Sequence, residues 1–241
     1  MPCRPSGGMD IYICVMASIN TKDDMRANIN LYNGDCMEAM AKMKDNDFDL
    51  AIVDPPYGIG YSKRKRRDKK HKPKYTAKKW DDTPPNKEYF KEVQRVSKNQ
   101  IIWGGNYFEL PQSRCYCIWV KQPEGIDQGS VEYAWASFDK SPKHFTYHIG
   151  NESGFAPKLQ SWQKVFANIH PTQKPVALYK WLLKNYANEG DKILDTHLGS
   201  GSIAIACHDM GFDLEAYELD SDYYRDCMKR FKNHTTQGLL F

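Results

Sequence analysis

The chain of 241 residues is 41% hydrophobic and 13% aromatic, which is enough for one large core and predicts one catalytic domain. No apolar run approaches the roughly 18 residues of a membrane span, and no signal-peptide pattern opens the sequence, so we expect a cytoplasmic protein. Its seven cysteines are scattered without a C-x-x-C pair, which argues against a zinc ribbon and a disulfide framework.

The first predicted elements are a strand over residues 28–32 and, after the loop Gly34-Asp35, a short amphipathic helix. A short apolar run at 48–53 then predicts a buried parallel strand. The two strands should belong to one sheet, so the acidic residues that follow them should lie at one edge. Asp35 could also serve only as a helix cap.

The tetrapeptide Asp54-Pro55-Pro56-Tyr57 follows the second strand directly, and open α/β sheets bind ligands where their strands end. Its two prolines remove two backbone donors and fix a rigid, extended turn whose carbonyl oxygens remain free to accept. The Asp54 carboxylate and the Pro55 carbonyl can each accept one hydrogen of a planar group's NH₂, while the Tyr57 ring stacks on that group. A turn with a capping Asp and a packing Tyr is the alternative.

A dense basic run comes next, at residues 62–79. It contains eleven Lys or Arg and one Asp, about +10, so the net charge of +4 leaves roughly −6 for the rest of the chain. A solvated surface loop is the usual interpretation of such a run, but its position beside a site for a planar amine favours an arm that binds nucleic-acid phosphates. The residues assigned to this arm are Lys63, Arg64, Lys65, Arg66, Arg67, Lys69 and Lys70.

The middle third continues with one helix and then loses the alternation of strand and helix. We predict a helix at 87–97, strands at 99–103 and 115–120, two strands of antiparallel character at 131–138 and 143–149, and an irregular segment at 150–168. Residues 121–168 are therefore the natural place for a target-recognition insert.

The final third predicts a nucleotide-binding half. A helix from 175 to 188 and a strand at 192–194 lead into a glycine loop from Asp195 to Ser202, followed by a helix to Met210 and a strand that ends at Glu218. Strand, glycine loop, helix, strand and terminal acid, with about 20 residues from loop to acid, are typical of a Rossmann half in which the acid binds ribose hydroxyls. Because the third glycine is missing, an adenosine ligand without phosphate is favoured over a dinucleotide.

Together, the tetrapeptide and the glycine loop resemble the amino-methyltransferases of DNA, which use S-adenosylmethionine (SAM). The order of the two motifs is similar to the circularly permuted β group of that family, and in particular to small phage-type enzymes that modify adenine. Two further segments match: Gly34-Asp35-Cys36 resembles the motif at the edge of the adenosine pocket, and residues 170–175 resemble the segment that lines the methionine carboxylate.

The resemblance implies one Rossmann-like α/β methyltransferase domain over residues 1–241, with a mixed, mostly parallel sheet, helices on both faces and a small recognition insert. It implies methyl transfer from SAM to the exocyclic N6 amine of an adenine flipped out of double-stranded DNA. Asp54, Pro55, Pro56 and Tyr57 would be catalytic. The implied cofactor-binding residues are Asp35, Cys36, Thr172, Lys174, Pro175, Asp195, His197, Gly199, Ser200, Gly201, Ser202 and Glu218.

Alternatives remain open at this point. The same motifs suit a DNA N4-cytosine methyltransferase, and a non-catalytic nucleic-acid-binding module could keep the fold. The chain departs from the family at His197, where an aromatic Phe is usual, and at Ser202, where Thr is usual. We expect activity in a bacterial or phage-infected cell, with a cognate restriction endonuclease and a homodimer as candidate partners. No metal site is predicted.

Overall fold

The computed structural model describes residues 27–60, 83–122, 130–148 and 172–237. The predicted basic arm and residues 123–129 and 149–168 of the predicted recognition insert lie outside these ranges. The strands of the described residues are β1 (Ile29–Asn33), β2 (Phe48–Val53), β3 (Ser97–Trp103), β4 (Cys115–Gln122), β5 (Val131–Ala136), β6 (Lys143–His148), β7 (Lys192–Asp195) and β8 (Asp213–Glu218). The helices are α1 (Cys36–Met40), α2 (Lys87–Val96), α3 (Val176–Tyr186), α4 (Ser202–Met210) and α5 (Ser221–Gln237).

All eight strands form one sheet in the order β1-β8-β7-β2-β3-β5-β4-β6. From β1 to β3, neighbouring strands are parallel, and β5 runs antiparallel to both β3 and β4. The sheet is therefore mixed and mostly parallel, as predicted. The strands β5 and β6 come from the segment assigned to a recognition insert, and the structure places both in the central sheet.

The direction of β6 was predicted wrongly. Its alternating sequence suggested an antiparallel strand, but β6 pairs in parallel with β4, with Cys117 opposite Lys143 and Val120 opposite Thr146. Alternation shows only that the two faces of a strand have different surroundings. It carries no information on the direction of the neighbouring strand, which the connections decide.

Local sequence explains where the helices begin and end. Asn86 caps α2, its side-chain oxygen accepting a hydrogen bond of 3.0 Å from the Tyr89 backbone N–H. Helix α4 follows Gly201 and ends at Gly211, and both glycines adopt the left-handed conformation. The predicted bounds of α4 are the observed ones.

Helices cover both faces of the sheet, as predicted. On one face α1 and α2 contribute buried side chains such as Met40 and Val93, and on the other α3, α4 and α5 contribute Leu182, Ile203 and Cys227. In β2, Ile52 packs on the side of α3, α4 and α5, whereas Val53 packs on the side of α1 and α2, which is why residues 50–53 are all apolar. Among the described helices, none combines the length and the apolar character needed to cross a bilayer.

Candidate active site

The acidic residues predicted at strand ends meet at one edge of the sheet. Because β1, β8, β7 and β2 are parallel, the loops that follow them emerge together. The Gly34 N–H donates to the Glu218 carbonyl at 3.0 Å, and the Leu198 N–H donates to the Tyr217 carbonyl at 2.9 Å. The structure thus brings the segments of Asp35, Asp54, Asp195 and Glu218 to a common edge.

Both oxygens of the Asp54 carboxylate are engaged by the protein. Its Oδ1 accepts a hydrogen bond of 2.7 Å from the Tyr57 hydroxyl, and its Oδ2 lies 2.5 Å from the Lys174 ammonium. Burial, followed by the negative charges of Asp54 and Glu132, raises the pKa of Tyr57 well above its ordinary value. The Tyr57 hydroxyl is therefore a neutral donor across the working pH range.

The ring of Tyr57 is fixed between two neighbours. A Cβ atom at Gly104, whose φ is +69°, would lie 2.3 Å from Cε1 of Tyr57, so only glycine permits this approach. Tyr107 stacks on Tyr57 with ring centroids 5.2 Å apart and planes 19° from parallel. In this structure Tyr107 therefore covers a face of the ring that was predicted to stack on a base, and Tyr107 itself is 51% exposed.

A chain of charged side chains, with both lysines buried and both acids partly exposed, continues from Asp54, and sequence reasoning missed two of its members. The Lys174 ammonium also lies 3.2 Å from Oε2 of Glu132, whose other oxygen binds Lys121. Glu132 stands alone as an acid in the apolar strand β5, and Lys121 follows an apolar run in β4. An isolated charge inside an apolar strand is the signal that could have singled them out, because such a charge is buried only when it is paired.

The glycine loop and the acid at the end of β8 contact each other directly. The Gly199 N–H donates to Oε2 of Glu218 at 2.8 Å, and the Asp220 N–H donates to Oε1 at 2.9 Å. Gly199 has φ of +52°, and the space that a Cβ would take is open, with the His197 carbonyl as its nearest neighbour at 3.8 Å. The backbone at Gly199 is thus open to close approach by a ligand.

Asp195 is a buried carboxylate of unusual basicity. Its Oδ1 accepts from the His197 N–H at 2.9 Å, and within the part of the chain that the structure describes it forms no salt bridge. Burial raises the pKa of Asp195 to about 8, with the charges of Asp54 and Glu218 adding to the rise. A cation delivered by a ligand would therefore be favourable here.

His197 replaces the family's usual aromatic residue without adding a charge. Its Nδ1 lies 2.9 Å from the Thr196 hydroxyl oxygen. Its ring packs edge-to-face with the Tyr89 ring, with the two ring centroids 5.4 Å apart. Burial lowers the pKa of His197 to about 4, so the ring is neutral near pH 7. It fills the position as a packing ring.

Other predicted cofactor residues have structural partners of their own. Arg230 donates to the Ser200 carbonyl and to the Ser202 hydroxyl, both at 2.9 Å. A Cβ at Gly201 would lie 2.3 Å from the Cys227 sulfur, so this glycine permits α5 to pack on the loop. Ser202 and Gly201 therefore help to hold α5 against the glycine loop, whether or not they also contact a cofactor.

Four further predicted cofactor-binding residues lie within the described part of the chain. Asp35 caps α1, accepting from the Met37 N–H at 2.7 Å, which matches the structural alternative considered for it. Burial, with the charge of Asp35, raises the pKa of Cys36 to about 12, so it remains a neutral thiol. Thr172 is half-buried, and the buried Pro175 caps the start of α3. The basic-arm residues Lys63 to Lys70 lie outside the described residues.

Comparisons with known proteins identify DNA methyltransferases as relatives of this chain. A family model described as DNA methylase matches residues 118–229. The Type II methyltransferase M2.MboI of Moraxella bovis is 25% identical, the match covering 88% of this chain and 93% of that protein. The resemblance to the amino-methyltransferases of DNA is confirmed.

Solved structures show the same fold. The SAM complex of M1.HpyAVI is 21% identical with a TM-score of 0.50, covering 84% of this chain and 99% of that one. The cytosine-N4-specific PvuII DNA methyltransferase is 12% identical with a TM-score of 0.53, covering 88% and 91%. The predicted Rossmann-like methyltransferase fold is confirmed, and SAM is the cofactor of this class.

Proposed function

We propose that this chain, a SAM-dependent DNA methyltransferase of the N6/N4 class, methylates the N6 amine of adenine at a specific DNA sequence. The observation that carries the proposal is the Asp54-Pro55-Pro56-Tyr57 turn at the end of β2, beside the glycine loop after β7. In the family that the chain resembles, an acid at the first position goes mostly with adenine. Both bases present an amine beside a ring nitrogen, so the assignment of adenine depends on that acid.

The residues present fit the cofactor. The open backbone at Gly199 and the Glu218 carboxylate next to it suit a ribose with two hydroxyls. The buried Asp195, without a salt-bridge partner among the described residues, suits the positive end of the molecule. When bound, SAM supplies the methyl group from a sulfonium centre.

Asp54 and the Pro55 carbonyl hold the two amino hydrogens of the flipped base. The Asp54 carboxylate has further lone pairs beyond the one that the Tyr57 hydroxyl uses, so an amine can join or replace that hydroxyl at Oδ1. Two such acceptors localise the nitrogen lone pair toward the methyl donor, and positioning of this kind supplies most of the rate. The amine becomes acidic only after it gains the methyl group, so its proton leaves after transfer.

Tyr57 stacks on the flipped base once Tyr107 has moved. Flipping is required because the amine is otherwise paired inside the duplex. Tyr107 is half exposed, and its ring can swing into solvent without breaking a core contact. The basic run at 62–79 supplies phosphate contacts that strengthen binding without reading the sequence.

Nucleoside analysis of the product tests the proposal. The purified chain is given SAM and unmodified DNA under single-turnover conditions, and the DNA is digested for mass spectrometry, with Asp54→Ala as the matched inactive control. N6-methyladenine as the main product is expected. N4-methylcytosine would overturn the choice of base, and SAM binding without any transfer to DNA would favour the non-catalytic module.

A further inference from the structure

The Lys174 ammonium has three oxygen partners inside the protein. Its Nζ lies 2.5 Å from Oδ2 of Asp54, 3.2 Å from Oε2 of Glu132 and 3.3 Å from the Tyr57 hydroxyl. An ammonium group has three hydrogens and no lone pair. The contacts with Asp54 and Tyr57 are hydrogen bonds and the contact with Glu132 is an ion pair, so the charge of the ammonium is already met by two protein carboxylates.

The position of Lys174 is built from several elements. The residue immediately precedes Pro175, the cap of α3, while Asp54 follows β2 and Glu132 lies in β5. Its side chain is 4% exposed, and Nζ lies 5.1 Å from the ring centre of Trp103. A long, flexible side chain held this way has lost its freedom, so its charged end occupies one place.

The charges along this chain alternate. Burial alone would lower the pKa of Lys174, but the carboxylates of Asp54 and Glu132 outweigh it and raise the pKa, so the ammonium stays charged. Burial would raise the pKa of Glu132, but Lys174 and Lys121 outweigh it and lower that pKa. Asp54, Lys174, Glu132 and Lys121 thus balance two negative and two positive charges.

Buried ion pairs often add little stability compared with apolar side chains of similar volume. What this arrangement does supply is orientation, because Lys174 fixes one oxygen of Asp54. The other oxygen, Oδ1, is turned to the Tyr57 hydroxyl, where the amine of a base would arrive.

We propose that Lys174 is a positioning residue for methyl transfer: anchored by Glu132, it holds Oδ2 of Asp54 so that Oδ1 faces the amine of the target base. The inference rests on the proposed function and assigns Lys174 to the base side of the site, in place of the cofactor role that the resemblance implies. Glu132 and Lys121 act through Lys174 and touch neither substrate.

The first test separates rate from binding. Lys174→Met should slow single-turnover methylation by about tenfold to hundredfold, while SAM and DNA affinities by calorimetry and fluorescence anisotropy stay within about twofold. Lys180→Met is the matched control, because Lys180 lies on α3 and pairs with Asp209 at the surface. A loss of SAM affinity in Lys174→Met without a loss of rate would return Lys174 to the cofactor site and overturn the proposal.

A double variant separates positioning from charge balance. Lys174→Met alone leaves two partly buried acids with one lysine and should lower the midpoint of thermal unfolding. Adding Glu132→Gln restores the net balance of one acid, Asp54, and one lysine, Lys121, and should recover part of the lost midpoint but not the rate. Recovery of the rate in the double variant would show that only the charge matters and would overturn positioning.

The pairing itself can be observed without activity. In ¹⁵N-lysine spectra of the full chain, the Lys174 ammonium signal, identified by its loss in Lys174→Met, should shift in Asp54→Asn and stay unchanged in Asp49→Asn. If the wild-type chain binds SAM but methylates no DNA, the proposed function fails and this spectrum decides the pairing separately. An ammonium signal indifferent to Asp54→Asn would overturn it.

Discussion

Two acids at the ends of adjacent strands have different charged surroundings. Asp54 follows β2, and Asp195 lies at the end of β7. Asp54 has a protein cation 2.5 Å away and a tyrosine hydroxyl on its other oxygen. Asp195 has the His197 backbone N–H, and the described residues supply no salt bridge to it. On the proposed base side the protein supplies the counter-charge, whereas on the proposed cofactor side the described residues supply none and a cationic ligand would favour the charged carboxylate.

This difference suits the charge of the two substrates. The amine of a base is neutral and brings no charge, so the partly buried carboxylate proposed to receive it needs its counter-charge from the protein. SAM carries its own positive sulfonium, so a protein cation at Asp195 would oppose binding. Variants on the two sides should therefore separate turnover from cofactor affinity.

The largest effect is expected on the base side. Asp54→Ala should reduce turnover by ~10²-fold or more, because it removes the group that positions the reacting nitrogen, while SAM affinity and most DNA affinity remain. Single-turnover methylation and calorimetry measure the two quantities. Asp49→Ala, on the same strand but bonded to Lys98 at the far end, is the control. Normal turnover in Asp54→Ala would remove Asp54 from the chemical step.

On the cofactor side, Glu218→Ala should weaken SAM binding by about tenfold or more. The reason is the loss of charged hydrogen bonds, each worth about 1.5–3 kcal/mol. Glu215→Ala is the matched control on β8, because Glu215 binds the Tyr217 hydroxyl away from the loop. Equal SAM affinity in calorimetry for Glu218→Ala and the wild type would exclude Glu218 from the site.

The pH dependence of SAM affinity sharpens the comparison further. Since the pKa of Asp195 is raised to about 8, the carboxylate is mostly neutral at pH 7 and becomes charged above pH 8. Affinity for the sulfonium should rise with pH, by about tenfold between pH 7 and the high-pH plateau. Asp195→Asn should abolish this rise.

The control for that experiment is S-adenosylhomocysteine, which shares the amino acid group but lacks the sulfonium. The ratio of the two affinities cancels titration of the shared amine and reports the charge of Asp195. A ratio that is constant from pH 6 to pH 9 in the wild type, over the range where the titration falls, would contradict a role for Asp195 at the sulfonium.

The smallest effects separate the two glycines of the loop. Gly201→Ala should lower the free energy of unfolding by roughly 1–3 kcal/mol, through left-handed strain and the clash with Cys227. Gly201→Ala with Cys227→Ala should recover part of that loss. Gly199→Ala meets open space, so it should cost less stability and more SAM affinity. Denaturant unfolding measures the stability of both variants, and calorimetry measures their SAM affinity. A larger loss of stability in Gly199→Ala, or a larger loss of SAM affinity in Gly201→Ala, would contradict these roles.

Local signals predicted the parts of the site that lie on one continuous segment. Short apolar runs bounded by turn residues mark the strand before Asp54, the glycine loop and the strand that ends at Glu218. The predicted bounds of these elements therefore agree with the observed ones within one or two residues. The bounds of α4 followed from glycines at both ends.

Contacts between distant segments could not be predicted in the same way. Lys174 and Asp54 are 120 residues apart, and no periodicity in either segment reveals the pairing. The direction of β6 was predicted wrongly for the same reason, because tertiary connections decide which strands pair and in which direction. The family resemblance assigned Lys174 to the segment that lines the methionine carboxylate, and nothing in residues 170–175 indicates that its partner is Asp54.

The seam between the two halves of the sheet has a consequence for biosynthesis. Strands β2 and β7 pair through Leu50 with Ile193 and Ala51 with Leu194, and Lys192 donates its N–H to Asp49, 143 residues earlier. During translation, β2 is made long before β7, so one hydrogen-bonding edge of an apolar strand stays open until β7 emerges. Such an edge invites pairing with other chains. A ribosome-bound chain is therefore open to such pairing along β2 until residues 192–195 have been made.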